Sequence, residues 1–305
     1  MIEVWKKTEL DKLTRAHGFR CSKAWGQNFL VDKNVLDKVV RGAELSQEDH
    51  VTEIGPGAGA LTVLLAQAAG SVTAVEIDKR LIPILREVTE GLDNVTIVQD
   101  DFLNHHRLLA ARTEQSLRVV GGEKDNSMRD SRLLAARGKI IGNLPYYITT
   151  PIIASLFEPG KDGVRPVPPE LAVFMIQKEV ADRLLSPPGK KTYGAISVLV
   201  QYYTDVELLS AVSREVFTPR PNVDSAIIRL RPKDLSGDDA ETASRMFRLV
   251  RAGFDMRRKT LRNSFTASGF SAEDLAAALE QSGIDPVRRA ETLSPRDFYT
   301  IASKL

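Results

Sequence analysis

Cysteine is almost absent: Cys21 is the only one in 305 residues. That excludes an internal disulfide and any multi-cysteine metal site. Histidine is scarce as well, and His17, His50, His105 and His106 show no metal-ligand spacing, so no resident metal is expected. No stretch approaches the roughly 18 consecutive apolar residues of a membrane span. The N-terminus carries Lys6, Lys7, Glu9, Asp11 and Lys12 where a secretory leader would place an apolar core, and a cytoplasmic protein is expected. A dominant charge of one sign is also missing. The 42 Lys and Arg stand against 40 Asp and Glu, for a formal net charge of +2, so bulk charge neither demands nor forbids a nucleic-acid partner. What is present in quantity is apolar material, 43% of the chain, enough for a substantial core in two domains or one large and one small.

That apolar material is arranged around a glycine turn. Residues 51–54 read as a strand running into Gly55-Pro56-Gly57-Ala58-Gly59, and an apolar helical run follows at 61–66. Glycines at such a turn let the backbone approach a ligand, and the start of the next helix presents unpaired N–H groups. A second strand, 71–75, ends in Glu76, an acid about 20 positions after the turn and placed to hold ribose hydroxyls. A third, 95–98, ends at Asp100-Asp101-Phe102, a carboxylate and a ring suited to the amino group and face of an adenine. Gly55, Gly57 and Ala60 also satisfy a looser nicotinamide fingerprint, which keeps a dehydrogenase in view. Glu53, the third glycine Gly59 and the acid after strand three favour S-adenosylmethionine instead.

The deciding motif lies further on. Residues 139–142 read as a buried strand closed by Asn143-Leu144-Pro145-Tyr146, at the strand end where open α/β sheets bind ligands. An Asn side-chain carbonyl and a backbone carbonyl before proline can both accept from an exocyclic amine, and Tyr146 offers a face for a base. An ordinary strand-to-loop turn would use the same residue types. A dehydrogenase has no use for this tetrad.

In these motifs the chain resembles the ribosomal RNA adenine dimethyltransferase family, in particular the bacterial small-subunit enzymes known through kasugamycin resistance. The resemblance is carried by Gly26-Gln27-Asn28-Phe29-Leu30, Glu53-Ile54-Gly55-Pro56-Gly57, Glu76-Ile77-Asp78, Asp101 and the Asn143 tetrad. It continues in family order through Thr192-Tyr193-Gly194, Gln201-Tyr202-Tyr203, 217–225 and Arg257-Arg258-Lys259-Thr260-Leu261. It implies a Rossmann-like, S-adenosylmethionine-dependent methyltransferase sheet followed by a small all-helical domain. It also implies that Asn28 and Leu30 close over the cofactor, that Gly55 and Gly57 meet its methionine part, and that Glu76 binds the ribose. Asp101 would hold the adenine amine, with Ile77 and Phe102 packing on the ring. Asn143 would touch the methionine end and the target amine together, and Tyr146 and Phe217 would clamp a flipped adenine. The implied substrate is a pair of adjacent adenines in a hairpin near the 3′ end of small-subunit RNA, on the immature subunit, with the enzyme acting as a monomer.

Charge distribution fits an RNA partner. Arg245, Arg248, Arg251, Arg257, Arg258, Lys259 and Arg262 face only one acid, Asp255, between 245 and 262. On a continuous helix of 3.6 residues per turn, Arg248, Arg251, Arg258 and Arg262 would share one side, with Gly253 a candidate break. A charge run is usually a solvated face; beside a base-modifying site it reads as phosphate binding. Lys190 and Lys191, next to Pro187-Pro188-Gly189, and Arg220 extend this set.

Domain boundaries are expected at 1–48 for an N-terminal segment, 49–232 for the sheet and 239–305 for the helices. Further strands are read at 171–175, 195–200 and 226–230. The helices are expected at about 239–253, 257–267, 272–282 and 295–304. The stretch 107–138, with seven Arg or Lys against four acids, is longer than the family leads one to expect and reads as a surface insertion. Three alternatives stay open: a large-subunit RNA methyltransferase of the macrolide-resistance type, a non-catalytic ribosome assembly factor, and the nicotinamide oxidoreductase. Leu144, where the resistance enzymes tend to carry isoleucine, and 257–261 weigh against the first.

Overall fold

The structure, a computed structural model, describes residues 2–21, 27–104, 138–158 and 168–305. It divides into two compact units, one of residues 1–181 and 207–232, the other of 182–206 and 233–305. The elements run α1 (Lys7–Ala16), β1 (Phe29–Leu30), α2 (Lys33–Gly42), β2 (His50–Ile54), α3 (Ala60–Ala68), β3 (Ser71–Glu76), α4 (Ile82–Val88) and β4 (Val95–Gln99). After them come β5 (Lys139–Asn143), α5 (Thr149–Ser155), β6 (Ala172–Gln177), α6 (Lys178–Leu184), α7 (Ala195–Tyr203), β7 (Thr204–Val212), β8 (Phe217–Thr218) and β9 (Ser225–Pro232). The chain closes with α8 (Ala240–Asp255), α9 (Leu261–Ala267), α10 (Ala272–Gln281) and α11 (Pro295–Ala302).

The first unit is built on a seven-stranded sheet in the order β4-β3-β2-β5-β6-β9-β7. β4, β3, β2, β5 and β6 are parallel, and β9 returns antiparallel against β6. Apolar runs fill the middle strands, as parallel strands covered on both faces require: Val173, Phe174 and Ile176 on β6 are fully buried. The chain reverses its sheet order between β2 and β5, the switch point at which α/β sheets open a crevice beyond their strand ends. β1 and β8 form a separate antiparallel pair, with Leu30 opposite Phe217. It holds the segment before α2 against the loop that leads to β9. α2 starts at Asp32, whose side chain caps it by accepting from the Val35 N–H at 3.1 Å.

The second unit is helical. α8 presents Met246, Phe247, Leu249 and Val250 to its interior, where Phe247 stacks near Tyr203 at 5.7 Å. α7 corrects the strand reading of 195–200. Its apolar residues are buried consecutively from Ser197 to Val200, so they show neither a period of 2 nor one of 3.6, and a short run of that kind is ambiguous by pattern. Local hydrogen bonds decide for the helix: the Gly194 N–H donates to Ser197 Oγ at 3.0 Å, and Ser197 Oγ donates to the Arg183 carbonyl at 2.6 Å. Gly253 does not break α8, which continues to Asp255. A Cβ at 253 would lie 2.5 Å from Ala290 Cβ, so glycine serves close packing there. The insertion at 107–138 lies, apart from Gly138, outside the described residues, as do His105 and His106.

Candidate active site

One cavity opens at the switch point, walled by the ends of β2, β3 and β5, the loop after β4, and the segment 27–30. β2 delivers Gly55 and Gly57 with φ of +65° and +60°, a backbone region that side chains rarely adopt. Gly57 also sits under the Phe29 ring, which a Cβ would meet at 3.2 Å. This turn therefore needs glycine for its conformation and for its closeness to the segment above it.

β3 brings Glu76, 5% exposed. It accepts from the Gly57 N–H at 3.0 Å and from the Asp78 N–H at 2.8 Å. Burial pushes its carboxyl up, while those two backbone bonds pull it down. Asp78 is held well below the usual carboxylate range, chiefly by the Arg80 guanidinium 2.6 Å away. Gln27 donates to the same carboxyl at 2.7 Å. Ile77 lines the cavity and is 38% exposed, whereas Phe102, after β4, is buried in the wall. Asp101 accepts from the Leu103 N–H at 3.0 Å.

β5 ends in the tetrad. Asn143 donates its side-chain amide to the Asn28 carbonyl at 3.3 Å. The Leu144 N–H is fixed on the Met175 carbonyl at 3.0 Å. The Pro145 carbonyl accepts from the Thr149 hydroxyl at 2.9 Å, which ties the loop to α5. Tyr146 shares a 2.8 Å hydrogen bond with Ser225 Oγ, and burial pushes its phenol up. A side-chain amide, a backbone turn before proline and an aromatic ring thus line the same cavity as the carboxylates and glycines.

Every residue expected to bind cofactor lines this cavity: Asn28, Leu30, Gly55, Gly57, Glu76, Ile77, Asp101, Phe102 and Asn143, together with Leu144, Pro145 and Tyr146. Phe217 does not. It is 4% exposed, opposite Leu30 and packed in the core. The cavity adds residues to which the sequence reading gave no role. Tyr147 is half-exposed on the rim, its phenol raised by burial and then by the Asp101 and Glu76 charges. Val4 and Leu10 reach the wall from the N-terminal segment. Gln27 and Asp78 stand in the motifs that carry the resemblance but have no role assigned from sequence.

The expected RNA-binding residues divide by unit. Arg220, in the first, is exposed and paired with Glu215 at 2.9 Å. In the second, the basic stretch is not one stripe: Arg248 and Arg251 are on α8, Arg258 and Lys259 in the turn after it, and Arg262 on α9, all exposed. Arg257 is committed elsewhere. It pairs with Glu291 at 2.9 Å and donates to the carbonyls of Lys191 and Tyr193 at 3.0 and 2.9 Å. Those bonds tie the loop carrying the exposed Lys190 and Lys191 to Arg257. Among the described residues no cluster of three His, Cys, Asp or Glu could hold a metal, and no helix is long and apolar enough to cross a membrane.

Comparison with known proteins decides the lineage. The ribosomal RNA adenine dimethylase family profile matches residues 18–305. The chain belongs to this family. The curated "Ribosomal RNA small subunit methyltransferase A" of Bacillus mycoides is 43% identical over 301 residues, 96% of this chain and 94% of its own. The protein of the same name from Bacillus cereus matches equally. Among solved structures, a dimethyladenosine transferase from Plasmodium falciparum superposes with a TM-score of 0.68 at 26% identity, covering 90% of this chain and 95% of that one. The 23S rRNA methyltransferase ErmE reaches 0.64 at 26% identity, covering 91% and 99%. As a member of the dimethylase family the chain is an rRNA adenine dimethyltransferase with a Rossmann-like sheet.

Proposed function

We propose that this chain dimethylates two adjacent adenines in a hairpin near the 3′ end of small-subunit ribosomal RNA, using S-adenosylmethionine, on the immature subunit in the cytoplasm and as a monomer. The observation that carries the reading is the sharing of one cavity wall by Asn143 and by Gly55, Glu76 and Asp101. The residues present fit a nucleoside with a cationic tail: positive-φ Gly55 has nothing within 4 Å of where a Cβ would be, and the carboxylates of Glu76 and Asp101 stand at the wall.

When bound, S-adenosylmethionine supplies a methyl group already activated by its sulfonium. The chain's own work is positioning. The lone pair of adenine's exocyclic amine is delocalised into the ring. Accepting both amine hydrogens on the Asn143 side-chain oxygen and the Leu144 carbonyl favours a pyramidal nitrogen whose lone pair can attack. Fixing those acceptors beforehand, through the Asn28 and Met175 carbonyls, removes reorganisation at the moment of reaction. The target base must leave its stack, and the Tyr146 ring offers it a new face. Arg248, Arg251, Arg258, Lys259, Arg262, Lys190 and Lys191 supply exposed charge for the RNA backbone.

A large-subunit substrate is the second reading, favoured by the likeness to ErmE. The 43% identity to small-subunit enzymes and Leu144 support the first. Methyl transfer from labelled S-adenosylmethionine to small subunits from cells lacking the modification, with unmodified large subunits in parallel, separates the two. Dimethyladenine in small-subunit RNA is the expected result. Label only in the large subunit assigns the second reading, and no label with cofactor binding intact points to an assembly factor.

A further inference from the structure

The ring of Tyr146 is held at both ends. At its backbone end the tetrad turn is fixed by the Leu144 N–H on the Met175 carbonyl at 3.0 Å. The Pro145 carbonyl accepts from the Thr149 hydroxyl at 2.9 Å and from the Ile148 N–H at 3.2 Å. At its far end the phenol shares a 2.8 Å hydrogen bond with Ser225 Oγ, 79 residues later in the chain. Burial pushes the phenol up, and the Asp224 charge adds to the rise against the pull of Ser225. The hydroxyl therefore keeps its proton near neutral pH.

Ser225 is itself a fixed point. It is fully buried and opens β9, opposite Gln177 at the end of β6. The three residues after it, Ala226, Ile227 and Ile228, are apolar and buried, so a hydroxyl at 225 is the polar exception in this run. Burying one without a partner is costly, and the partner here is Tyr146. The preceding residue, Asp224, is tied on both sides. Its carbonyl accepts from the Lys178 N–H at 3.0 Å, and its carboxylate from the Arg214 N–H at 3.0 Å. Arg214 also donates its guanidinium to the Asn222 carbonyl at 2.9 Å. A short side chain on so constrained a backbone passes that rigidity to the ring.

We propose that Ser225 is a positioning residue for Tyr146, and that its hold on the ring governs the passage from monomethyl- to dimethyladenine. This rests on the reading of Asn143, Leu144 and Tyr146 as the site of the target base. In each transfer the amine nitrogen forms a bond to the methyl carbon while the sulfur–carbon bond breaks. The electron pair of that bond passes to sulfur, and the nitrogen loses one proton to solvent. An unmodified amine presents two N–H groups to the Asn143 oxygen and the Leu144 carbonyl; after one transfer it presents one. A bulkier amine is then aimed by a single hydrogen bond and by the face on which the base stacks. A ring fixed in advance needs no ordering at that moment, whereas a ring hinged only at its backbone end does. The second transfer therefore depends on the Tyr146–Ser225 bond more than the first.

The test reads a product ratio, which a smaller folded fraction does not shift. Full-length wild type, Ser225→Ala, Tyr146→Phe and the double variant are given S-adenosylmethionine and small subunits from cells lacking the modification. The RNA is digested, and monomethyl- and dimethyladenine are counted by mass spectrometry at matched total methyl incorporation. Each single variant should raise the ratio of monomethyl- to dimethyladenine about fivefold, the worth of one ordinary hydrogen bond. The double variant should raise it no further, because both changes break the same bond. Tyr146→Phe keeps the ring and carries the test by itself if Ser225→Ala does not fold. A wild-type ratio in the single variants overturns the positioning role while leaving the proposed function standing. Additive shifts in the double variant overturn the route through Tyr146. No dimethyladenine from the wild type on small subunits overturns the proposed function and the positioning role together.

Discussion

The side-chain amide of Asn143 donates to the backbone carbonyl of Asn28 at 3.3 Å, joining the end of β5 to a segment 115 residues earlier in the chain. Both residues line the cavity. Asn143 therefore has a structural donor and a chemical acceptor on one side chain. The amide nitrogen holds the segment 27–30 at the cavity, and under the proposed function the amide oxygen is the acceptor for the target amine.

That division predicts an uneven loss in Asn143→Ala. Methyl transfer should fall at least about 100-fold, as expected when a preorganised acceptor at the reacting atom is removed. Cofactor affinity should fall only about fivefold, the worth of one hydrogen bond of about 1 kcal/mol. Single-turnover methylation and calorimetric titration measure the two separately. Transfer at the wild-type rate would sink the assignment of Asn143 to the amine.

Phe217 makes an opposing prediction. A ring 4% exposed, opposite Leu30 in the β1–β8 pair, is first of all a packing residue. Phe217→Ala should destabilise the protein by about 3–5 kcal/mol, the usual cost of deleting a buried ring, and should loosen Leu30 and the cavity wall with it. Phe217→Leu keeps most of the volume. If Phe217 also clamps the target base, the leucine variant will melt near wild type yet transfer poorly to RNA. If it serves packing alone, the leucine variant will be active, and urea denaturation alongside transfer assays distinguishes the two.

Within the basic stretch the structure separates neighbours that look equivalent in sequence. Arg257 spends its guanidinium on Glu291 and on the carbonyls of Lys191 and Tyr193, whereas Arg258 and Lys259 are exposed. Arg257→Ala should therefore lower the denaturation midpoint and displace the 190–193 loop. Replacing Arg258 or Lys259 by Ala should leave the midpoint unchanged and reduce the salt dependence of RNA binding by about one counterion each. Filter binding across a salt series, with thermal melts of the same variants, reads both effects. Equal stability losses at all three positions would contradict the separation.

Much of this arrangement was legible in the chain because its signals are local. Gly55 and Gly57 announce a turn that demands positive φ, Glu76 and Asp101 follow strands with clear apolar runs, and the Asn143 tetrad closes a third. Signals that depend on distant partners were not legible. β7 escaped because an edge strand with half its residues exposed has no apolar run to mark it. Residues 195–200 were read as strand because burial on all sides erases periodicity, and only the Ser197 bonds to Gly194 and Arg183 reveal a helix. Arg257 looked like its neighbours until its three acceptors were placed around it. Phe217 showed its aromatic character in sequence but not its burial under Leu30.

Glu53 also fixes the sign of a pH dependence in the cofactor-free protein. An unfolded glutamate titrates near about 4.3, and burial raises the folded group to about 8. Between those values the folded state holds a proton that the unfolded state has lost, so stability is greatest below the lower value and falls as pH rises toward the upper one. The slope is at most about 1.4 kcal/mol per pH unit for one proton. Glu76, also raised by burial, acts in the same direction; His50, lowered by burial, opposes it only below its ordinary value of about 6.5, and Asp49 and Asp78, held low by Lys139 and Arg80 among their partners, act only in acid below this window. Urea midpoints should therefore decline from about pH 5 to pH 8 in the wild type. Glu53→Gln, which cannot ionise, should flatten most of that decline and be the more stable protein at pH 8. A variant that keeps the full wild-type slope would place the buried proton on a group other than Glu53.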